Sequence, residues 1–161
     1  MTSSFKMKEI ARLRKVFLEA TQGSEEMDKE IFMALPCIAI NPLKERLAFC
    51  FGYDDTHLCL DFRDFLDGVA SFNSIGRVHQ KLKLAFKIQD FDSDDKISRM
   101  DLQEYITTIT AHGLSDADVL SLVSNVMKET SSDPNFQYIS LSDFQRVVIK
   151  TDFQSKLQLR F

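Results

Sequence analysis

The sequence predicts an all-α fold, four helix–loop–helix units in two paired lobes with a C-terminal helix. Three observations predict it. Apolar residues recur at helical spacing through most of the chain. Phenylalanine is abundant (14) while glycine (5) and proline (3) are scarce and tryptophan is absent, which favours helices packed through aromatic side chains. Finally, the chain repeats itself four times. The dipeptides Ile31-Phe32, Asp64-Phe65, Asp101-Leu102 and Asp143-Phe144 each open a helix that leaves a loop, and Met27, Leu60, Ile97 and Ile139 stand at a fixed distance ahead of them. Those four residues would join paired loops as short two-stranded bridges.

Taken in order, residues 5–20 form an amphipathic helix with Ile10, Leu13, Phe17 and Ala20 on one face and Lys6, Lys8, Arg12, Arg14 and Lys15 on the other. A loop at 21–26 leads to a short helix through Ile31, Phe32 and Leu35, stopped by Pro36. Asn41-Pro42 opens the next helix with proline at its first position, and Leu43, Leu47, Cys50 and Phe51 share a side. Leu58-Cys59-Leu60 is short and alternating, and Phe62, Phe65, Leu66, Val69 and Phe72 line another helix. Residues 73–77 break the pattern and separate a first pair (1–72) from a second (78–161). In the second pair a helix at 78–89 turns Leu82, Ala85, Phe86 and Ile88 inward, and Leu102, Tyr105, Ile106 and Ile109 follow on the far side of an acidic loop. Ser115, with Asp118 three residues on, caps a helix whose stripe is Leu120, Val123, Val126 and Met127. Ile139-Ser140 is extended, a helix runs over 141–150, and a terminal helix over 152–161 aligns Phe153, Leu157 and Phe161.

The acidic loop, 90–101, carries the chemistry. Asp90, Asp92 and Asp94 alternate and Asp101 follows, so carboxylates this close repel one another unless a cation sits among them. The spacing matches the EF-hand loop, with ligands at positions 1, 3, 5, 7, 9 and 12: Asp90, Asp92, Asp94, the carbonyl of Lys96, Ser98 and Asp101. Two residues depart from that pattern. Asp95 takes the place of the turn glycine, at a cost of about 1 kcal/mol in a left-handed backbone. Asp101 replaces the closing glutamate, and its shorter arm suits magnesium better than the larger calcium ion. The expectation is Ca2+ or Mg2+, at most one ion per chain.

The other three loops lack the ligands. The first is a residue short and places Ile31 where the final acid belongs. The second is a residue long, has His57 and Leu58 mid-loop, and sets Asp54 beside Asp55 instead of alternating them. The fourth, 132–143, has Pro134 and Phe136 at the third and fifth ligand positions, so Asp143 is expected to take no part in ion binding. Their expected role is mechanical bracing.

Composition excludes several classes. Net charge is −4 and neither half is a basic platform for nucleic acid. No apolar run approaches the ~20 residues that span a bilayer, no signal peptide is evident, and Thr2 in place of glycine excludes N-myristoylation. Cys37, Cys50 and Cys59 lack metal-site spacing and read as reduced thiols of a cytoplasmic protein. His57, His79 and His112 accompany no nucleophile motif or phosphate loop, so no catalysis is expected.

The chain resembles the calcineurin B-like EF-hand proteins, and most closely the calcium- and integrin-binding (CIB) family. The resemblance is carried by Ala-Leu-Pro at 34–36, Asn-Pro-Leu-Lys-Glu-Arg at 41–46, Asp-Phe-Leu-Asp at 64–67, Ala-Phe-Lys-Ile-Gln-Asp-Phe-Asp at 85–92, Leu-Ser-Asp-Phe-Gln at 141–145 and Thr-Asp-Phe at 151–153. An aspartate closing the third loop is also a trait of that family, whereas its fourth loop is generally intact. The resemblance implies a regulatory or adaptor protein that captures an amphipathic helix of a larger protein in a hydrophobic groove. Candidate groove residues are Phe86, Ile106, Ile109, Leu120, Val123, Met127, Phe144, Val148, Phe153, Leu157 and Phe161. The first alternative is a constitutive structural light chain of a cytoskeletal or ciliary assembly. A phosphatase regulatory subunit of the calcineurin B type ranks third, because such subunits keep most of their loops.

Overall fold

The computed structural model describes residues 5–73 and 78–150. These residues form nine α-helices and two antiparallel two-stranded ribbons, and the chain divides into two compact units between Arg77 and Val78. The terminal helix expected over 152–161, with Phe153, Leu157 and Phe161, lies outside the described residues, as do residues 74–77 of the expected hinge.

In the first unit α1 (Met7–Ala20) buries Leu13 and Phe17 one turn apart, and Glu9 accepts the Lys6 N–H at 2.8 Å to satisfy its first turn. β1 (Glu26–Asp28) feeds α2 (Lys29–Ala34), then come α3 (Pro36–Ala39) and α4 (Lys44–Phe51), and β2 (Cys59–Asp61) feeds α5 (Phe62–Asn73). Phenylalanines fill the core: Phe32 stands 4.6 Å from Phe51 between ring centroids, Phe51 stacks on Phe72 at 5.5 Å and Phe17 meets Phe65 at 5.6 Å.

Two local expectations are corrected here. Pro36 does stop α2, but it also opens the single turn α3 from its first position, where its missing N–H costs nothing. Asn41-Pro42 does not start α4. The Asn41 side chain accepts the Leu43 N–H at 2.9 Å and its carbonyl accepts the Lys44 N–H at 3.1 Å, a turn that delays the helix to Lys44.

The second unit contains α6 (Val78–Gln89), β3 (Ile97–Ser98), α7 (Arg99–Ile109), α8 (Asp116–Thr130), β4 (Tyr138–Ile139) and α9 (Leu141–Val148). Its core gathers Leu82, Phe86, Leu102, Ile106, Val119, Val123, Met127 and Phe144, with Phe86 edge-on to Phe144 at 5.6 Å. The buried stripe of α8 is Val119, Val123, Met127 and Thr130, while Leu120 is 51% exposed. Both stripes share Val123 and Met127, and the packing neighbours select the face that holds Val119. Ser115 caps α8 as expected, accepting the Asp118 N–H at 3.2 Å.

The bridges fall where the repeat places them: Met27 pairs with Leu60 and Ile97 with Ile139, all buried. The residue after each bridge caps the helix that follows. Asp28, Asp61, Ser98 and Ser140 accept the N–H three residues on, from Ile31, Asp64, Asp101 and Asp143. The repeated dipeptides therefore begin at the third helical residue of four equivalent helix starts, and this local rule sets the geometry of every loop.

Candidate metal centre

The loop 90–101 joins α6 to α7, and local hydrogen bonds wind it. Asp90 accepts the N–H of Asp94 at 3.2 Å and of Asp95 at 3.0 Å, and Asp94 accepts that of Lys96 at 2.9 Å. Asp95 sits at φ +64°, the left-handed turn that a glycine makes without strain, and Ser93 is left-handed as well at +59°. The result brings Asp90, Asp92 and Asp94 together, with one carboxylate oxygen of each within 4.8 Å of the others. Asp90 is buried, whereas Asp92 and Asp94 face solvent.

Asp101, at the third position of α7, is buried beside this group. One of its oxygens accepts from the Phe91 N–H at 3.0 Å, and the other from the N–H and hydroxyl of Ser98 at 2.8 and 2.6 Å. Ser98 and Asp101 thus form the capping box of α7 from the residues that the ninth and twelfth ligand positions require. Lys96 presents its ammonium to the Tyr138 ring, 5.0 Å from the centroid, in the neighbouring strand. Burial pushes the Asp90 carboxyl above its ordinary value; N–H donors from Asp95 and Asp94 counter this, and the charges of Asp101 and Asp94 add to it. A buried carboxylate among like charges, with every candidate donor an oxygen, fits a hard divalent cation such as Ca2+ or Mg2+.

In the second and fourth loops the acidic side chains of Asp54 and Asp143 are satisfied by neighbouring protein groups. In the second, Asp54 accepts from the Thr56 hydroxyl and N–H and from the His57 N–H at 2.6–2.8 Å, and these bonds, led by the Thr56 hydroxyl, hold its carboxyl well below the usual range. Ahead of it, buried Tyr53 donates its hydroxyl to the Met27 carbonyl at 3.0 Å and ties the loop to β1. In the fourth, Asp143 accepts from the hydroxyls of Ser132 and Ser140 and pairs with Arg146 at 3.0 Å. Burial alone would raise the Asp143 carboxyl, yet the hydrogen bonds from Ser140 and Ser132 outweigh it and bring it to about 2. Arg146 escapes a reading by spacing alone; its signal in the sequence is a base three residues after the final acid of a loop without ligands.

Among the candidate groove residues, Phe86, Ile106, Val123, Met127 and Phe144 are buried in the core and Val148 packs against it. Ile109 and Leu120 are exposed, while Phe153, Leu157 and Phe161 are outside the described residues. Among the described residues no helix is long and apolar enough to cross a membrane.

No family model matches the chain. Individual relatives do. It is 31% identical to the calcineurin B protein of Candida glabrata over 160 residues, covering 99% of this chain and 90% of the relative. It is 32% identical to the calcineurin B protein of Yarrowia lipolytica, with 98% and 90% covered, and 28% identical to that of Naegleria gruberi, with 98% and 89% covered. With nearly its whole length aligned to proteins of that name, and with four helix–loop–helix units bridged in pairs, the chain belongs to the calcineurin B family of EF-hand proteins and is a regulatory protein, not an enzyme.

Proposed function

We propose that the chain is a regulatory protein of the calcineurin B kind that holds a divalent cation in the loop 90–101 and captures an amphipathic helix of a larger partner. The observation that carries this reading is the end-to-end likeness to proteins named for calcineurin B. That likeness reverses the order inferred from the residues, which set a phosphatase regulator beneath an adaptor and a structural light chain because three loops had lost their ligands. The narrower CIB reading keeps one specific support, the aspartate at the closing position, Asp101.

The proposed ligands are the carboxylates of Asp90, Asp92 and Asp94, the carbonyl of Lys96, Ser98 and Asp101. We assign at most one ion per chain, supported by the carboxylate cluster at Asp90, Asp92 and Asp94 and by the internal satisfaction of Asp54 and Asp143. The proposed organisation keeps a first pair at 1–72, a hinge at 73–77 and a second pair at 78–161. Five candidate groove residues lie in the core of the second unit, so capture through them requires its helices to part, as EF-hand pairs do on opening.

Affinity capture with the full chain in chelator, magnesium and calcium, with the bound proteins identified by mass, tests this reading. A stoichiometric phosphatase chain whose binding depends on the cation is the expected result. A cytoskeletal or ciliary partner held equally in all three conditions would establish the light-chain alternative instead.

A further inference from the structure

Loops 90–101 and 132–143 are paired at their eighth residues, Ile97 and Ile139, and differ in how their ends are held together. At the first position the former has Asp90 and the latter Ser132; at the last both have aspartate. Asp90 and Asp101 repel, and the ends of that loop are joined through the Phe91 N–H, which donates to Asp101 at 3.0 Å. Ser132 instead donates directly to Asp143, from its hydroxyl at 2.9 Å and its N–H at 3.2 Å. Ser140 adds its hydroxyl at 2.8 Å. The other oxygen of Asp143 receives the Arg146 guanidinium at 3.0 Å, and the same nitrogen donates to the Thr130 carbonyl at 2.8 Å at the end of α8. A positive group thus joins the entering helix to the closing carboxylate. The equivalent residue of α7 is Glu104, which is exposed and of opposite charge.

Three contacts tie this loop to the acidic one. Ile97 and Ser98 pair with Ile139 and Tyr138. Lys96 rests over the Tyr138 ring. Arg99, the first residue of α7, donates to the Phe136 carbonyl at 3.4 Å and to the Ser124 hydroxyl at 2.8 Å. Phe136 is itself left-handed at φ +51°, a backbone held in place by its surroundings. Two of the proposed ligands, the Lys96 carbonyl and Ser98, therefore belong to residues that contact β4.

We propose that Arg146, together with the hydroxyls of Ser132 and Ser140, substitutes for the cation in the loop 132–143, and that the loop so closed positions the loop 90–101 for its ion. Arg146 is a positioning residue and touches no ligand. The second half of the proposal rests on the reading of 90–101 as the ion site.

Calcium and magnesium titrations of the full chain by calorimetry, paired with amide hydrogen exchange in chelator, separate the parts. Arg146→Met removes the charge at similar length. It should accelerate exchange at Ser132 and Ser140 and weaken ion binding about tenfold with unchanged stoichiometry, within the usual range of coupling between sites. Arg146→Lys should recover part of both effects, and Asp90→Asn should abolish binding while leaving exchange at Ser132 and Ser140 as in the wild type. Asp143→Asn replaces Arg146→Met if the latter does not fold, with the same expected results. Unchanged exchange in Arg146→Met overturns the substitute cation. Faster exchange with unchanged affinity overturns the positioning role. A wild-type chain that takes up neither ion overturns the ion-site reading and with it the coupling, while the exchange data in chelator still decide the role of Arg146.

Discussion

Asp90 and Asp143 are equally buried, each 4% exposed, yet their carboxyls are shifted in opposite directions. Asp90 is raised because it is buried among like charges, so in chelator its contribution favours the folded state at low pH and is lost as pH rises through its folded pKa. Asp143 is lowered by its hydrogen bonds. Its contribution is present above the ordinary carboxylate range and disappears as pH falls towards about 2. The stability difference between wild type and Asp143→Asn should therefore shrink on acidification below about pH 4, as denaturant unfolding at several pH values would show. A proton on Asp90 also competes with the ion, so calcium affinity should fall as pH is lowered. At the closing position Asp101→Glu should raise the preference for calcium over magnesium, since the longer arm reaches a larger ion with both oxygens. An unchanged ratio in competitive titration would show that arm length does not set the preference.

The helix starts carry the repeat. Each of α2, α5, α7 and α9 follows a bridge directly, with a serine or aspartate cap that accepts the N–H of its third residue. In α5, α7 and α9 that third residue is an aspartate, and in α7 helix capping draws on the same Asp101 oxygens as the proposed ion ligation. Further along α5, Gly68 meets a different constraint. A Cβ added there would stand 2.3 Å from Cδ1 of Phe51 and 2.6 Å from Cε1. The Phe51 ring packs against Phe32, Phe65 and Phe72, so yielding to that Cβ would disturb these contacts. Replacing a helical glycine by alanine ordinarily gains about 1 kcal/mol, whereas overpacking a core costs about 1–3 kcal/mol. Gly68→Ala should therefore destabilise the chain in denaturant unfolding, and a neutral or stabilising result would mean that the ring has space to move.

At the scale of the whole molecule the two units should answer a cation differently. An ion held only in the folded loop 90–101, at about a hundred times its dissociation constant, stabilises by about 2.7 kcal/mol. That gain should appear as slower amide exchange across α6, α7, α8 and α9. Amides of α1 to α5 should be unaffected by calcium, because the Asp54 and Tyr53 loop is closed by its own hydrogen bonds. Calorimetry should count one ion, and two comparable sites, or equal protection of both units, would contradict the assignment of a single site.

The sequence by itself determined the local geometry. The four helix starts, the bridge partners Met27 with Leu60 and Ile97 with Ile139, the left-handed turn at Asp95 and the convergence of Asp90, Asp92 and Asp94 all follow from spacing within each repeated unit. Backbone sterics, capping and alternation act at that range. What the tertiary structure decided are matters of neighbours. Packing chose Val119 over Leu120 on α8, and core formation enclosed Phe86, Ile106, Val123, Met127 and Phe144. The pairing of the last two loops brought Lys96 over the Tyr138 ring and Arg99 to the Phe136 carbonyl. A side chain's partner across the fold depends on how helices far apart in sequence are brought together, and no period or spacing along the chain encodes that meeting directly.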